Sequence, residues 1–216
     1  MASTEVTRTD LEDWMARFGS AVLANRDHLT ALDSAIGDAD HGGNMARGMN
    51  AVAEALGTLD PDAAIGAMFR TVGMTLVSKV GGASGPLYGT FFIRFGGDAA
   101  DAANLDGASL AEALDAGVQG VVARGKAQAG DKTMVDAMLP AMTAMRAALD
   151  DGATVAEATA AAAAGAVEGR DATVPMVARK GRASYLGERS AGHLDPGAAS
   201  TCLLFEALAE SLGSHG

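Results

Sequence analysis

Apolar side chains recur at helical spacing along most of this chain, and strand-like runs are nearly missing. Leu11, Trp14, Met15, Phe18, Val22, Leu29 and Leu32 share one face, which predicts a long helix ending at an acidic run that begins with Asp33. Met45, Met49, Val52 and Leu56 mark a second helix, and Ile65, Phe69, Val72 and Leu76 a third, with Pro61 near its start. Ser109-x-x-Glu112 and Thr154-x-x-Glu157 have the form of capping boxes, and Asp195-Pro196 that of an N-cap followed by proline. Thr90 to Ile93 is β-like in composition, yet Leu87, Phe91 and Phe95 at intervals of four fit a helix equally well. Pro140 lies inside a predicted helix from Asp131 to Leu149, which it kinks or divides. The alanine tract 160–164 reads as helix at a close packing contact. The expectation is one all-α domain over residues 1–216 with about eight helices joined by short glycine turns.

Composition narrows the function classes. With 216 residues, 49% hydrophobic and 20% charged, the chain can bury one sizeable core. A net charge of −11 argues against nucleic acid as a partner, because phosphate backbones are bound by basic surface. Any phosphate must be handled locally. The single cysteine, Cys202, rules out an internal disulfide, and its neighbours Leu203 and Leu204 predict a buried thiol. Residues 1–5 carry neither a basic patch nor an apolar core, and no run reaches about eighteen apolar residues, so the expectation is a soluble cytoplasmic protein without a membrane segment.

The run Asp33-Ser34-Ala35-Ile36-Gly37-Asp38-Ala39-Asp40-His41-Gly42-Gly43-Asn44 carries the chemistry. An isolated Asp-x-Asp is ordinarily a solvated turn or a helix N-cap. An EF-hand reading from Asp38 fails, since position twelve is Met49 where a bidentate glutamate is required. Three carboxylates this close repel unless a cation lies between them; the usual one is a hard divalent ion, and Mg2+ commonly arrives with substrate phosphates. The strand-based phosphate motifs are absent, so a nucleotide would need another fold. Gly81-Gly82-Ala83-Ser84-Gly85-Pro86 runs into a helix start, where free N–H groups and the Ser84 hydroxyl suit an anion. Gly125 to Met134, the basic stretch Arg179 to Tyr185, and Gly187 to Gly197 are further polar loops at helix junctions. Each alone is an ordinary loop. Together they can converge at one end of a helical barrel.

Four motifs in order carry a family resemblance: Asp33-x4-Asp38-Ala39-Asp40-His41-Gly42-x-Asn44-Met45; Gly81-Gly82-Ala83-Ser84-Gly85-Pro86-Leu87-Tyr88-Gly89; Gly130-Asp131-Lys132-Thr133-Met134-x-Asp136; and Gly181 to Ala198 with Arg182, Gly192-His193 and Asp195-Pro196-Gly197. They resemble the nucleotide-binding L subunit of dihydroxyacetone kinase, in its free-standing and not its fused length. The resemblance implies an eight-helix antiparallel barrel with ADP or ATP held at one end by interhelical loops. It implies that Asp33, Asp38 and Asp40 hold two Mg2+ ions. His41, Gly42, Gly43, Asn44, Ala83 and Ser84 would contact the nucleotide, with Gly125 and Met134 near the adenine, and Arg182 and Asp195-Pro196-Gly197 completing the pocket.

Arg182 is the choice for a direct phosphate contact, although a basic loop is equally suited to docking a partner. His41 is read as a phosphate or supporting contact and not a general base. Two positions depart from the pattern: Ala39 stands where glycine is common, and Gly43 where threonine is common. The resemblance further implies that a separate K subunit holds the triose and that a phosphotransferase M subunit rephosphorylates bound ADP. A free-ATP kinase for another keto-sugar or polyol, a module binding a transcriptional regulator, and a structural domain with capping acids are the alternatives.

Overall fold

The computed structural model describes residues 5–213. A short strand β1 (Glu5–Thr7) leads into α1 (Arg8–Ala24), α2 (Arg26–Ile36), α3 (His41–Gly57), α4 (Ile65–Lys79) and α5 (Ser84–Ala99). A second strand β2 (Asn104–Asp106) precedes α6 (Gly107–Gly125), α7 (Val135–Asp150) and α8 (Val155–Ala172). A 3-10 segment (Arg182–Ser190), broken at Gly187, precedes α9 (Pro196–Gly213). The two strands pair antiparallel, with Val6 opposite Leu105. The all-α expectation holds, and the region around Thr90–Ile93 is helical.

Several boundaries differ from the sequence reading for physical reasons. The long first helix is two, because the Asn25 side chain and its backbone N–H both donate to Ala21 O. That bond ends α1 while the apolar stripe continues, so periodicity cannot register the break. Pro61 sits in a turn ahead of α4, not in its first turn. The cap of α6 is Asp106, whose carboxylate accepts from Ser109 N at 2.8 Å, so Ser109 is the capped residue and not the cap. Pro140 neither divides nor ends α7, which itself starts at Val135 and not Asp131. The Thr154–Glu157 capping box is present, Asp195 caps α9 through Ala198 N at 2.7 Å, and Cys202 is buried.

Sequential helices pack on one another from α3 to α9, and α9 returns onto α1, which also meets α3. At the centre Trp14 sits 5.7 Å from Phe69 and from Phe95 and 5.8 Å from Phe92, ring centroid to centroid, and its Nε1 donates to Leu204 O. These aromatics each bury a large apolar area and fix where the helices cross. Helices α4 and α5 meet backbone to backbone: a Cβ on Gly73 would lie 2.6 Å from Gly89 O, and one on Gly89 2.8 Å from Gly73 O. Close helix packing excludes every larger residue there. Treating α1 and α2 as one bent rod, the α2–α3, α4–α5, α6–α7 and α8–α9 connections are alternate ones. All four line the same pocket.

Candidate functional site

The pocket has a volume of about 410 Å3. Asp33, on the last turn of α2, is buried, and its Oδ2 accepts from Asp40 N (2.9 Å) and His41 N (3.1 Å). Those bonds fold the Gly37–Asp40 loop back over the helix end, bringing ligand oxygens of Asp33, Asp38 and Asp40 within 4.8 Å of one another. A Cβ on Gly37 would lie 2.0 Å from Asp33 Oδ1, so the loop needs glycine there. Ala39 takes φ +61°, the left-handed region that explains why glycine suits this position better. Asp38 is paired with Arg182 at 3.0 Å, an exposed contact. Three converging carboxylates with one exposed guanidinium are a hard-oxygen donor set that fits Mg2+.

Opposite the acids lies the start of α5, whose N-cap Ala83 offers no side-chain hydrogen bond to the first turn. Its Ser84 Oγ is 3.0 Å from His41 Nδ1, and His41 Nε2 is 2.9 Å from Ser200 Oγ. Burial holds the His41 pKa below its ordinary value against the opposing pull of Asp33 and Asp40, which favours the neutral ring. Leu87, Val121, Gly125, Ala127 and Met134 form an apolar wall, and Arg124, Lys180 and Arg182 supply positive charge.

Beneath the basic loop, Lys132 is buried with φ +63°, and its Nζ donates to Thr173 O (2.7 Å), Met176 O (3.2 Å) and His193 O (2.5 Å). Asp136 accepts from Gly130 N and Thr133 N, and Asp131 from Gln128 N. The loop before α7 therefore clasps the chain from Thr173 to His193. Burial pushes the Asp195 carboxyl up to about 7, helped by Asp136 and opposed by the Ala198 N–H bond and Lys132.

Of the residues expected from sequence, the pocket gathers Asp33, Asp38, Asp40, His41, Ala83, Ser84, Gly125, Met134, Arg182, Asp195, Pro196 and Gly197. Gly42, Gly43 and Asn44 do not line it. A Cβ on Gly42 would meet Arg26 O at 2.0 Å, so this glycine lets α3 approach α2. Gly43 faces open space, and Asn44 stands behind the Gly81–Gly82 turn, accepting from Arg47 at 2.6 Å. Sequence reasoning gave no role to Lys132, Arg124 or Lys180, nor to the apolar wall of Leu87 and Val121. Lys132 left a signal as a lysine inside a glycine- and threonine-marked loop, Lys180 as part of the basic stretch, and Leu87 as part of the glycine-rich motif.

The DAK2 domain matches residues 35–210. The chain belongs to the DAK2 domain family. Among DAK2 relatives, it is 45% identical over 204 residues to the PEP-dependent dihydroxyacetone kinase ADP-binding subunit DhaL of Escherichia coli, covering 94% of this chain and 97% of the relative. It is 46% identical to subunit DhaL of kinase 1 from Listeria innocua, covering 92% of this chain and 93% of that one. The resemblance read from the four motifs is borne out. Among solved structures, the dihydroxyacetone kinase of C. freundii in complex with AMP-PNP and Mg2+ matches with a TM-score of 0.70 and 30% identity, covering 92% of this chain. This DAK2 chain spans 33% of that longer polypeptide.

Proposed function

We propose that this chain is the ADP-binding subunit of a phosphoenolpyruvate-dependent dihydroxyacetone kinase, a single domain over its whole length. The carrying observation is the convergence, in one pocket, of the three carboxylates, the open start of α5 and Arg182. Similarity along nearly the full length of two ADP-binding subunits supports the same reading. The helix packing order supports a closed eight-rod barrel with the nucleotide at one end.

In this reading Asp33, Asp38 and Asp40 hold two Mg2+ ions, which when bound neutralise phosphate oxygens during phosphoryl transfer. The α5 start and Ser84 hold the phosphates through N–H and O–H donors. Arg182 leaves Asp38 for a phosphate oxygen. The apolar wall near Gly125 and Met134 takes the base, and Asp195-Pro196-Gly197 closes the pocket. His41 orients Ser84 and does not act as a general base, because both its ring nitrogens already face hydroxyls. The triose is held by a K subunit, and an M subunit rephosphorylates bound ADP. We place the protein in the cytoplasm; among the described residues no helix is long and apolar enough to cross a membrane.

Calorimetry with ADP, with and without Mg2+, tests the reading, preceded by analysis of the purified protein for nucleotide it already carries. Tight Mg2+-dependent binding is expected. No binding in either state would remove the nucleotide site.

A further inference from the structure

Hydrogen bonds run without a gap from the pocket into the core through Ser84, His41, Ser200 and Tyr88. Ser84 Oγ is 3.0 Å from His41 Nδ1, His41 Nε2 is 2.9 Å from Ser200 Oγ, and Ser200 Oγ is 2.7 Å from Tyr88 Oη. Ser200 and Tyr88 are fully buried, each the fifth residue of its helix, α9 and α5. Each hydroxyl carries one proton, and a neutral imidazole carries one on either nitrogen.

Counting those protons leaves two arrangements. With the His41 proton on Nε2, that N–H donates to Ser200, Ser200 donates to Gly197 O at 3.1 Å, and Ser84 donates to the bare Nδ1. Ser84 then shows only lone pairs to the pocket. With the proton on Nδ1, that N–H donates to Ser84, Nε2 accepts from Ser200, and Tyr88 donates to Ser200. Ser84 is then free to donate into the pocket. A phosphate oxygen accepts hydrogen bonds and cannot donate them, so it is served only by the second arrangement. The protein satisfies the first equally well, since Gly197 O takes the Ser200 proton and Thr201 Oγ1, 3.3 Å from Tyr88 Oη, gives Tyr88 a second partner.

We propose that Ser200 and Tyr88 are positioning residues that set the tautomer of His41, turning the Ser84 hydroxyl from acceptor to donor when a phosphate group enters the pocket. The proposal rests on the nucleotide reading above. It also ties the Ser84 loop to the Asp195–Gly197 turn, because Gly197 O gives up the Ser200 proton as the chain reverses.

Two-bond 15N–1H correlation spectra on 15N-histidine-labelled protein test it, with the His41 signals assigned by their loss in His41→Gln. The expected result is the Nε2–H tautomer in free protein and the Nδ1–H tautomer with Mg-ADP. An unchanged tautomer in protein that binds Mg-ADP overturns the proposal and leaves the nucleotide reading standing; failure of the wild type to bind overturns both. Tyr88→Phe and Ser200→Ala are each expected to weaken Mg-ADP binding about fivefold, the scale of one hydrogen bond, and to have no effect in a Ser84→Ala background. A loss that persists without the Ser84 hydroxyl would mark a merely structural role and overturn the relay.

Discussion

The two ends of the helical body treat their helix starts in opposite ways. At the end away from the pocket, α1, α6 and α8 are capped by Thr7, Asp106 and Thr154, two of them through full capping boxes, and α4, with Ala64 at its N-cap, is the one start there without a side-chain cap. There Arg8 also binds Asp60 O, Pro61 O and Ala63 O, and β1 pairs with β2. At the pocket end, the N-cap residues of α3, α5 and α7 make no side-chain cap bond, and Ala39, Lys126 and Lys132 stand at positive φ, against Ala100 at the far end. One end is closed by its own side chains. The other holds donors, charge and backbone strain in reserve for a ligand. The exception at the pocket end is α9, capped by Asp195, and that carboxyl is the one burial holds near neutral pH.

The contrast breaks most sharply at the acids. Asp38→Ala is expected to weaken Mg2+-dependent ADP binding by roughly a hundredfold or more, while thermal melting of the free protein barely changes, because a carboxylate repelled by its neighbours contributes little to folding. Calorimetry and melting on the same preparation check both halves. A large fall in melting temperature would make the acidic loop a structural element like the far end.

The next effect is a pH dependence. The folded Asp195 carboxyl keeps its proton to about 7, whereas the unfolded one loses it near 3.9. The native state therefore binds more protons between these values, so this group's contribution to stability is complete below about pH 4 and is lost as pH rises through 7. Asn in its place stays neutral, so the stability of Asp195→Asn relative to wild type should increase from pH 5 to pH 8. Denaturant titrations across that range measure it, and a difference that stays flat would place the carboxyl in its ordinary range.

Thr7→Ala removes a cap at the closed end, and the expected cost is about 1 kcal/mol of stability with ADP affinity unchanged. Chemical denaturation beside calorimetry reads the two quantities. The smallest effect belongs to Ala39. Replacing it with glycine relieves the left-handed strain and should stabilise the ligand-free protein by a fraction of about 1 kcal/mol. A loss of stability would show that the greater freedom of glycine in the unfolded chain outweighs the strain.

The local signals were legible because they are written in contiguous residues. Apolar spacing revealed the helices, Thr154-x-x-Glu157 and Asp195-Pro196 their starts, and the spacing of Asp33, Asp38 and Asp40 the cluster of carboxylates that converges in the fold. Twelve of the expected site residues meet in the pocket, because motifs on alternate connections of an up-and-down bundle share an end. Gly42 stands outside the pocket lining and admits a neighbouring helix, a role that looks the same in sequence as that of a glycine beside a ligand. The break at Asn25 was hidden by an apolar stripe that continues through it.

The sequence by itself determined the helical class, the acidic cluster and the glycine-marked loops, since each depends on residues within a few turns of one another. Tertiary structure alone decided that Ser200, 159 residues after His41, would hold its ring nitrogen. It also decided that Lys132 would be buried against carbonyls as far away as His193. Those contacts exist only when α3, α5, α7 and α9 converge, and no local spacing encodes the distance between chain segments that meet only through packing.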